Sequence, residues 1–253
     1  MAKASDILEL NPLLDRAALQ AAFAKTRRLH IPDILTREAA QRIHQCLTSE
    51  VDWHLVFNEG EKVHTLYPVQ VKALTEAQKS QIRQIVVSQA RKGFQFLYND
   101  YNIYDYYLNG KDREHFLARF HEFLNSEAFL SFIREITGFA SVRFADSQAT
   151  AYGPGHFLTQ HHDEIAGKNR KLAYVFNFTP GWKMDWGGIL QFLGRDGNVE
   201  CGFVPTFNAL NLFAVPQDHA VSYVAPFAPA IRYSITGWLR ETDDAAFLKK
   251  IRG

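Results

Sequence analysis

Apolar residues recur along this chain with two different periods, and the change falls near residue 140. Before it, the spacing is mostly helical. Leu8, Leu10, Leu13, Leu14, Leu19 and Phe23 predict a helix over 5–28, with Pro12 in its first turn. Residues 28–32 read as a short strand. Thr36 opens a second helix, with Glu38 and Glu50 near its ends and Ile43 and Leu47 on its inner face. Residues 53–66 alternate like a strand pair turned at Asn58-Glu59-Gly60. A helix is predicted over 75–98. Thr75 with Gln78 three residues on makes a capping box, and Ile82, Ile85, Val86, Ala90 and Phe94 form the apolar stripe. Residues 94–107 are crowded with aromatics and read as core packing, not as a platform for stacked bases. One or two further helices fill 113–137 and stop at Gly138.

From residue 141 the period falls to two. Short runs rich in Val, Phe, Tyr and Ile cover 141–152, 171–179, 188–193, 209–215, 219–224 and 231–239, separated by Gly, Pro and Asn turns. Strands this short and this closely spaced predict a sandwich or jelly roll. The expected organisation is a helical region, 1–140, packed on a β core, 141–240, with a tail over 241–253. The class is α+β. The boundary near 140 is a change of layer, not a flexible joint, and there is no internal repeat.

Composition narrows the function. The chain's 253 residues allow one domain with a substantial core, or a core with a helical extension. Its 20 Phe and 10 Tyr suit an aromatic β interior. A net charge of +1 gives no electrostatic case for direct nucleic-acid binding. The basic end Lys249-Lys250-Ile251-Arg252 reads as solvated. Cys46 and Cys201 are too far apart for a metal pair and too few for a disulfide framework. With no signal peptide and no apolar run able to span a bilayer, a cytoplasmic protein without membrane contact is expected.

The candidate chemistry lies in His161-His162-Asp163, read with the distant His219 and Arg232. On a strand, His161 and Asp163 project to one face. One further His would complete a two-His-one-carboxylate site, which holds iron(II) and leaves positions open. An Arg shortly after that His can grip a carboxylate with two prongs. A competing register exists, because His162 and Glu164 are also two apart and would point to the opposite face. Taken singly, each residue has a duller reading: His219 as a surface histidine, Arg232 as an ion-pair partner, Tyr152 and Trp238 as core. Gly187-Gly188 reads as a turn into a strand.

The residues around these decide the matter. Tyr152-Gly153-Pro154-Gly155-His156-Phe157-Leu158 leads into His161-x-Asp163. There follow Arg170-Lys171-Leu172-Ala173-Tyr174-Val175, Trp186-Gly187-Gly188-Ile189-Leu190, Val204-Pro205 with Asn208, Phe213, His219-Ala220-Val221, and Arg232-Tyr233-Ser234-Ile235-Thr236-Gly237-Trp238. In order and spacing, the segment 152–239 resembles the catalytic core of the prolyl-4-hydroxylase-like iron(II)/2-oxoglutarate oxygenases. Residues 94–98 and 123–126 more loosely resemble the leader of the ribosomal-protein prolyl hydroxylases.

That resemblance implies a double-stranded β-helix (jelly roll, cupin-like) core and a dioxygenase that hydroxylates an unactivated C–H. It implies Fe(II), 2-oxoglutarate as cosubstrate and O2, with ascorbate supportive. His161, Asp163 and His219 become the iron ligands. Arg232 pairs with the distal carboxylate of 2-oxoglutarate, assisted by Ser234 and Thr236. Tyr152 donates to the cosubstrate, and Trp238 closes the wall beside the metal. Where many relatives carry a Tyr, this chain has Asn177, a shorter donor that leaves more room. The implied substrate is a prolyl residue in a protein or peptide. The alternatives are a free amino acid or other small molecule, and a non-catalytic jelly-roll binding protein.

Overall fold

Side chains that compete for backbone hydrogen bonds set where the helices begin. In the computed structural model, which describes residues 7–242, Asp15, Thr36, Thr75 and Ser126 each accept a hydrogen bond from the backbone N–H three residues on. Such a cap contributes about 1 kcal/mol. The elements in chain order are α1 (Arg16–Thr26), β1 (Arg28–Ile31), α2 (Arg37–Ser49), β2 (His54–Glu59), β3 (Lys62–Leu66), α3 (Pro68–Ala73), α4 (Glu76–Ala90), β4 (Phe96–Tyr101), α5 (Ile103–Leu108), α6 (Phe116–Leu124) and α7 (Glu127–Thr137). They continue with β5 (Phe144–Ala145), β6 (Gln148–Tyr152), β7 (Phe157–His161), β8 (Arg170–Asn177), β9 (Leu190–Leu193), β10 (Val199–Phe203), β11 (Ala209–Ala214), β12 (His219–Val221) and β13 (Arg232–Arg240). The basic run at 249–252 lies outside the described residues.

Two predicted helices are shorter than expected. The first starts at Arg16, not near residue 5, because Asn11 Oδ1 accepts from the Leu13 N–H and Leu10 bridges to Leu35. A side chain that bonds its own backbone offers it an alternative to the helix. The second, α4, stops at Ala90. Beyond Gly93 the aromatics Phe94, Phe96 and Tyr98 repeat every second residue, and β4 takes up Phe96 and Tyr98 as a strand. The residues before 140 are therefore not helical throughout, since β1 to β4 enter the sheet. Residues 113–137 resolve into α6 and α7, and Gly138 ends α7 in the left-handed region with φ 75°.

The sheet runs in the order β1-β11-β8-β13-β6-β4-β7-β12-β9-β10. It folds over on itself at β4. Asn99–Tyr101 pairs with β6, whereas Phe96 and Leu97 pair with β7. One strand thus joins two facing layers. The free edges approach again on the far side, where Arg28 of β1 meets Glu200 of β10 at 2.7 Å and the His30 and Phe203 rings lie 5.3 Å apart. The result is a nearly closed antiparallel barrel, the double-stranded β-helix expected from the sequence. β7 and β10 are strands that the hydropathy pattern did not isolate.

The helices cover one outer face. Phe120 of α6 packs edge-on to Phe176 and Phe178, and Phe129 of α7 lies against Phe176. All four rings are fully buried. Truncating one such ring costs about 3–5 kcal/mol. This aromatic layer anchors β8, which contributes Arg170, Ala173 and Val175 to the cavity described below.

Candidate active site

Alternation along the strands sends every second side chain between the two layers, into a cavity of about 560 Å³. Phe96 and Tyr98 reach it from β4, Tyr152 from β6, Ala173 and Val175 from β8, and Arg232, Thr236 and Trp238 from β13. His161 is the last residue of β7 and His219 the first of β12, and the two are register partners.

Three ligand-type groups converge at the open end. Atoms of His161, Asp163 and His219 that could bind a metal lie within 4.8 Å of one another. His161 Nε2 is 3.5 Å from one carboxylate oxygen of Asp163, and His219 Nε2 is 3.3 Å from the other. Each imidazole is fixed from behind. His161 Nδ1 lies 2.9 Å from the Thr159 carbonyl and His219 Nδ1 lies 2.7 Å from that of Gln217. A carbonyl only accepts, so Nδ1 holds a proton, and in the neutral ring Nε2 then presents its lone pair to the site. Burial, then the neighbouring His161, pushes the His219 imidazole down to about 4, which leaves it neutral at ordinary pH. Two imidazoles and a carboxylate form a donor set that fits a divalent ion such as Fe(II).

The expected strand geometry is only half right. His161 closes β7, but Asp163 lies beyond it in the left-handed region with φ 62°. The turn at Asp163, not strand alternation, swings the carboxylate back toward the histidines. The chain leaves the sheet there, so the competing register loses its meaning. His162 and Glu164 line the mouth of the same cavity.

At the inner end, Arg232 is 2% exposed. Burial lowers its guanidinium to about 10, still protonated at neutral pH. Its Nη2 donates to Asn177 Oδ1 at 3.3 Å, and it lies over the Tyr152 ring at 5.2 Å. Among the described residues no carboxylate pairs with it, and its Nε and the Oγ of Ser234 are buried without hydrogen-bond partners. A buried cation beside an unsatisfied hydroxyl is built to receive an anion. Asn177 and Ser234 are register partners on β8 and β13. Thr236 is committed elsewhere, donating to the Tyr174 carbonyl. Trp238 lines the cavity and carries the Arg170 guanidinium 3.5 Å above its ring.

Sequence reasoning missed several lining residues. Phe96 and Tyr98 were hidden in the misassigned helix, although their period-two spacing was a usable signal. Tyr98 stacks on Tyr152, with centroids 5.1 Å apart. Arg170 also has a contact that sequence did not disclose, donating from Nη1 to the Asp163 carbonyl at 2.9 Å.

Residues 147–240 match the family model of the 2OG-Fe(II) oxygenase superfamily. Among solved structures, a prolyl-4-hydroxylase from Pseudomonas putida is 16% identical, with a TM-score of 0.57 over 90% of this chain and 100% of the other. A prolyl hydroxylase from Trichoplax adhaerens, in complex with a hypoxia-inducible factor oxygen degradation domain peptide fragment, is 16% identical, with a TM-score of 0.57 over 89% of each chain. SnoN, a non-heme alpha-ketoglutarate-dependent epimerase of nogalamycin biosynthesis, is 11% identical, with a TM-score of 0.52 over 89% of this chain and 83% of the other. No curated protein matches the sequence significantly. Residues 147–240 are therefore a domain of the 2OG-Fe(II) oxygenase superfamily, and the chain has the prolyl-4-hydroxylase-like fold. It is a 2-oxoglutarate/Fe(II)-dependent dioxygenase, which answers the alternative of a non-catalytic binding protein. Among the described residues, no helix is long and apolar enough to cross a membrane.

Proposed function

We propose that the chain hydroxylates an unactivated C–H of a prolyl residue in a protein or peptide, with His161, Asp163 and His219 holding Fe(II) and Arg232 holding 2-oxoglutarate. The observation that carries this reading is one cavity with a three-ligand cluster at its mouth and a buried, carboxylate-free arginine at its inner end. Bound iron and 2-oxoglutarate supply oxidative decarboxylation by O2, releasing succinate and carbon dioxide and oxidising a C–H bond. The protein's share is orientation. The two backbone-anchored imidazoles present Nε2 lone pairs, Asp163 supplies the anionic ligand, and Arg232 with Ser234 fixes the far carboxylate. Tyr152 offers a hydroxyl, which burial keeps protonated. Asn177 holds the guanidinium in place of a direct aromatic donor. Trp238, Ala173 and Val175 keep the wall dry.

Support for a protein or peptide substrate comes from the prolyl hydroxylase neighbours, one of them with a bound peptide. The mouth is also open, with Phe94 and Ile165 each 51% exposed beside it. A small-molecule substrate is the second reading, favoured by the likeness to SnoN and by a cavity of a size that suits small ligands. The two unpaired cysteines, Cys46 and Cys201, suit action in a reducing cytoplasm.

The test is succinate release from 2-oxoglutarate in air with Fe(II) and ascorbate, wild type against Asp163→Ala. Turnover confined to the wild type is expected. Equal turnover in both would remove Asp163 from the ligand set. Proteomes of cells with and without the chain then decide the substrate. A one-oxygen mass gain on prolyl residues supports the peptide reading, and its absence favours the small molecule.

A further inference from the structure

We propose that Arg170 is a positioning residue, which aims the Asp163 carboxylate at the two histidines by gripping the Asp163 peptide carbonyl. The proposal rests on the metal-site reading above. Asp163 has left the sheet, and its left-handed backbone is disfavoured for a residue with a Cβ. The residues that follow, 164–169, are all exposed, and Gly167 and Asn169 also have positive φ. The turn is closed locally, where the Glu164 N–H donates to the His162 carbonyl at 2.8 Å and to His162 Nδ1 at 3.2 Å, but both residues are exposed and lie outside the sheet. The carboxylate is nevertheless 93% shielded, since only 7% of the side chain is exposed. What ties this turn to the sheet is Arg170 Nη1, which donates to the Asp163 carbonyl at 2.9 Å.

Arg170 is itself anchored in the sheet. It opens β8 and is the register partner of Arg240 on β13. Its guanidinium lies 3.5 Å from the Trp238 ring centroid. The Trp238 backbone N–H in turn donates to Asp146 Oδ1 at 2.7 Å. A planar cation on an aromatic face keeps its donors in one plane and one direction. The grip therefore reaches from the rigid sheet to the turn just beyond β7.

The choice of acceptor matters chemically. A cation bonded to the carboxylate would occupy the lone pairs that a metal needs. Bonded to the carbonyl, it orients the side chain and leaves both carboxylate oxygens directed at His161 and His219.

The test uses the full chain and Mn(II) alone, titrated calorimetrically without 2-oxoglutarate, for wild type, Arg170→Ala, Arg170→Met and Arg170→Lys. Loss of an outer partner of this kind weakens metal affinity by about 10- to 100-fold. That loss is expected for Arg170→Ala and Arg170→Met, with partial recovery in Arg170→Lys, which restores a donor without the planar stack. Arg170→Met keeps the apolar stem on Trp238, so it decides the matter if Arg170→Ala fails to fold. Mn(II) affinity of Arg170→Met within twofold of wild type would overturn the proposal. A wild type that does not bind Mn(II) would instead sink the metal-site reading on which it rests.

Discussion

His161 and His219 are register partners across the β7–β12 ladder, with ring centroids 4.1 Å apart. Their Nδ1 atoms are tied to the backbone carbonyls of Thr159 on β7 and of Gln217 just before β12, so each Nε2 is aimed at the space that Asp163 closes. Under the proposed reading, His161→Ala and His219→Ala each reduce succinate release to background while the thermal unfolding midpoint stays near that of the wild type. Turnover at wild-type level with iron supplied would exclude that histidine as a ligand.

Under the proposed reading, Arg232 is the buried cation that receives the far carboxylate of 2-oxoglutarate. Removing one partner of a buried charge pair costs about 2–5 kcal/mol, or at least 30-fold in affinity. Arg232→Ala should therefore raise half-saturating 2-oxoglutarate by about 100-fold, and Arg232→Lys should recover part of this. Steady-state titration of 2-oxoglutarate checks it, and an unchanged half-saturation would refute the role.

Asp100 on β4 predicts a pH dependence of stability. It pairs in register with Thr150, its Oδ1 is buried without a hydrogen-bond partner, and the nearest cationic candidate, His54 Nδ1, stands 3.9 Å away. Burial pushes its carboxyl up to about 7. A native value above the unfolded one means that the protonated form is favoured in the fold. That stability is full below the ordinary carboxylate range and is lost as pH rises through about 7. Asp100→Asn removes the loss, so the variant should gain on the wild type between pH 4 and pH 8 by at most about 4 kcal/mol. Urea midpoints at the two pH values measure it. The same difference at both would contradict the assignment.

Gly237 of β13 has room for no side chain. A Cβ there would meet the Asp146 carbonyl oxygen at 2.2 Å and the Tyr174 hydroxyl at 2.8 Å. That hydroxyl donates to the same carbonyl at 2.6 Å. Gly237→Ala must push Asp146 away from β13, which disturbs the Trp238 anchor. Overpacking of this kind costs about 1–3 kcal/mol or more. The thermal midpoint should fall by several degrees, and an unchanged midpoint would show that the strand can shift.

Much of this was legible in the amino-acid sequence, and the reasons are local. The caps at Thr36 and Thr75 act over three residues, so sequence alone locates those starts. The apolar runs of β8 and β11 mark strands buried on both faces, a property of each strand by itself. Where two local signals competed, sequence reasoning failed. Phe94 extends the stripe of α4, but it also alternates with Phe96 and Tyr98, and pairing of 96–101 with β2, β6 and β7 settles the contest in favour of a strand there.

The residue types of the candidate site, and their order along the chain, were thus determined by the sequence. The tertiary structure decided how they meet. Asp163 faces the histidines because the chain turns left-handed beyond β7, and Arg232 comes to be buried without a carboxylate because β6 and β8 flank it on β13. Neither follows from spacing. Periodicity describes a strand's own two faces, whereas a site at a strand end depends on which distant strands close around it and on what holds the chain once it has left them.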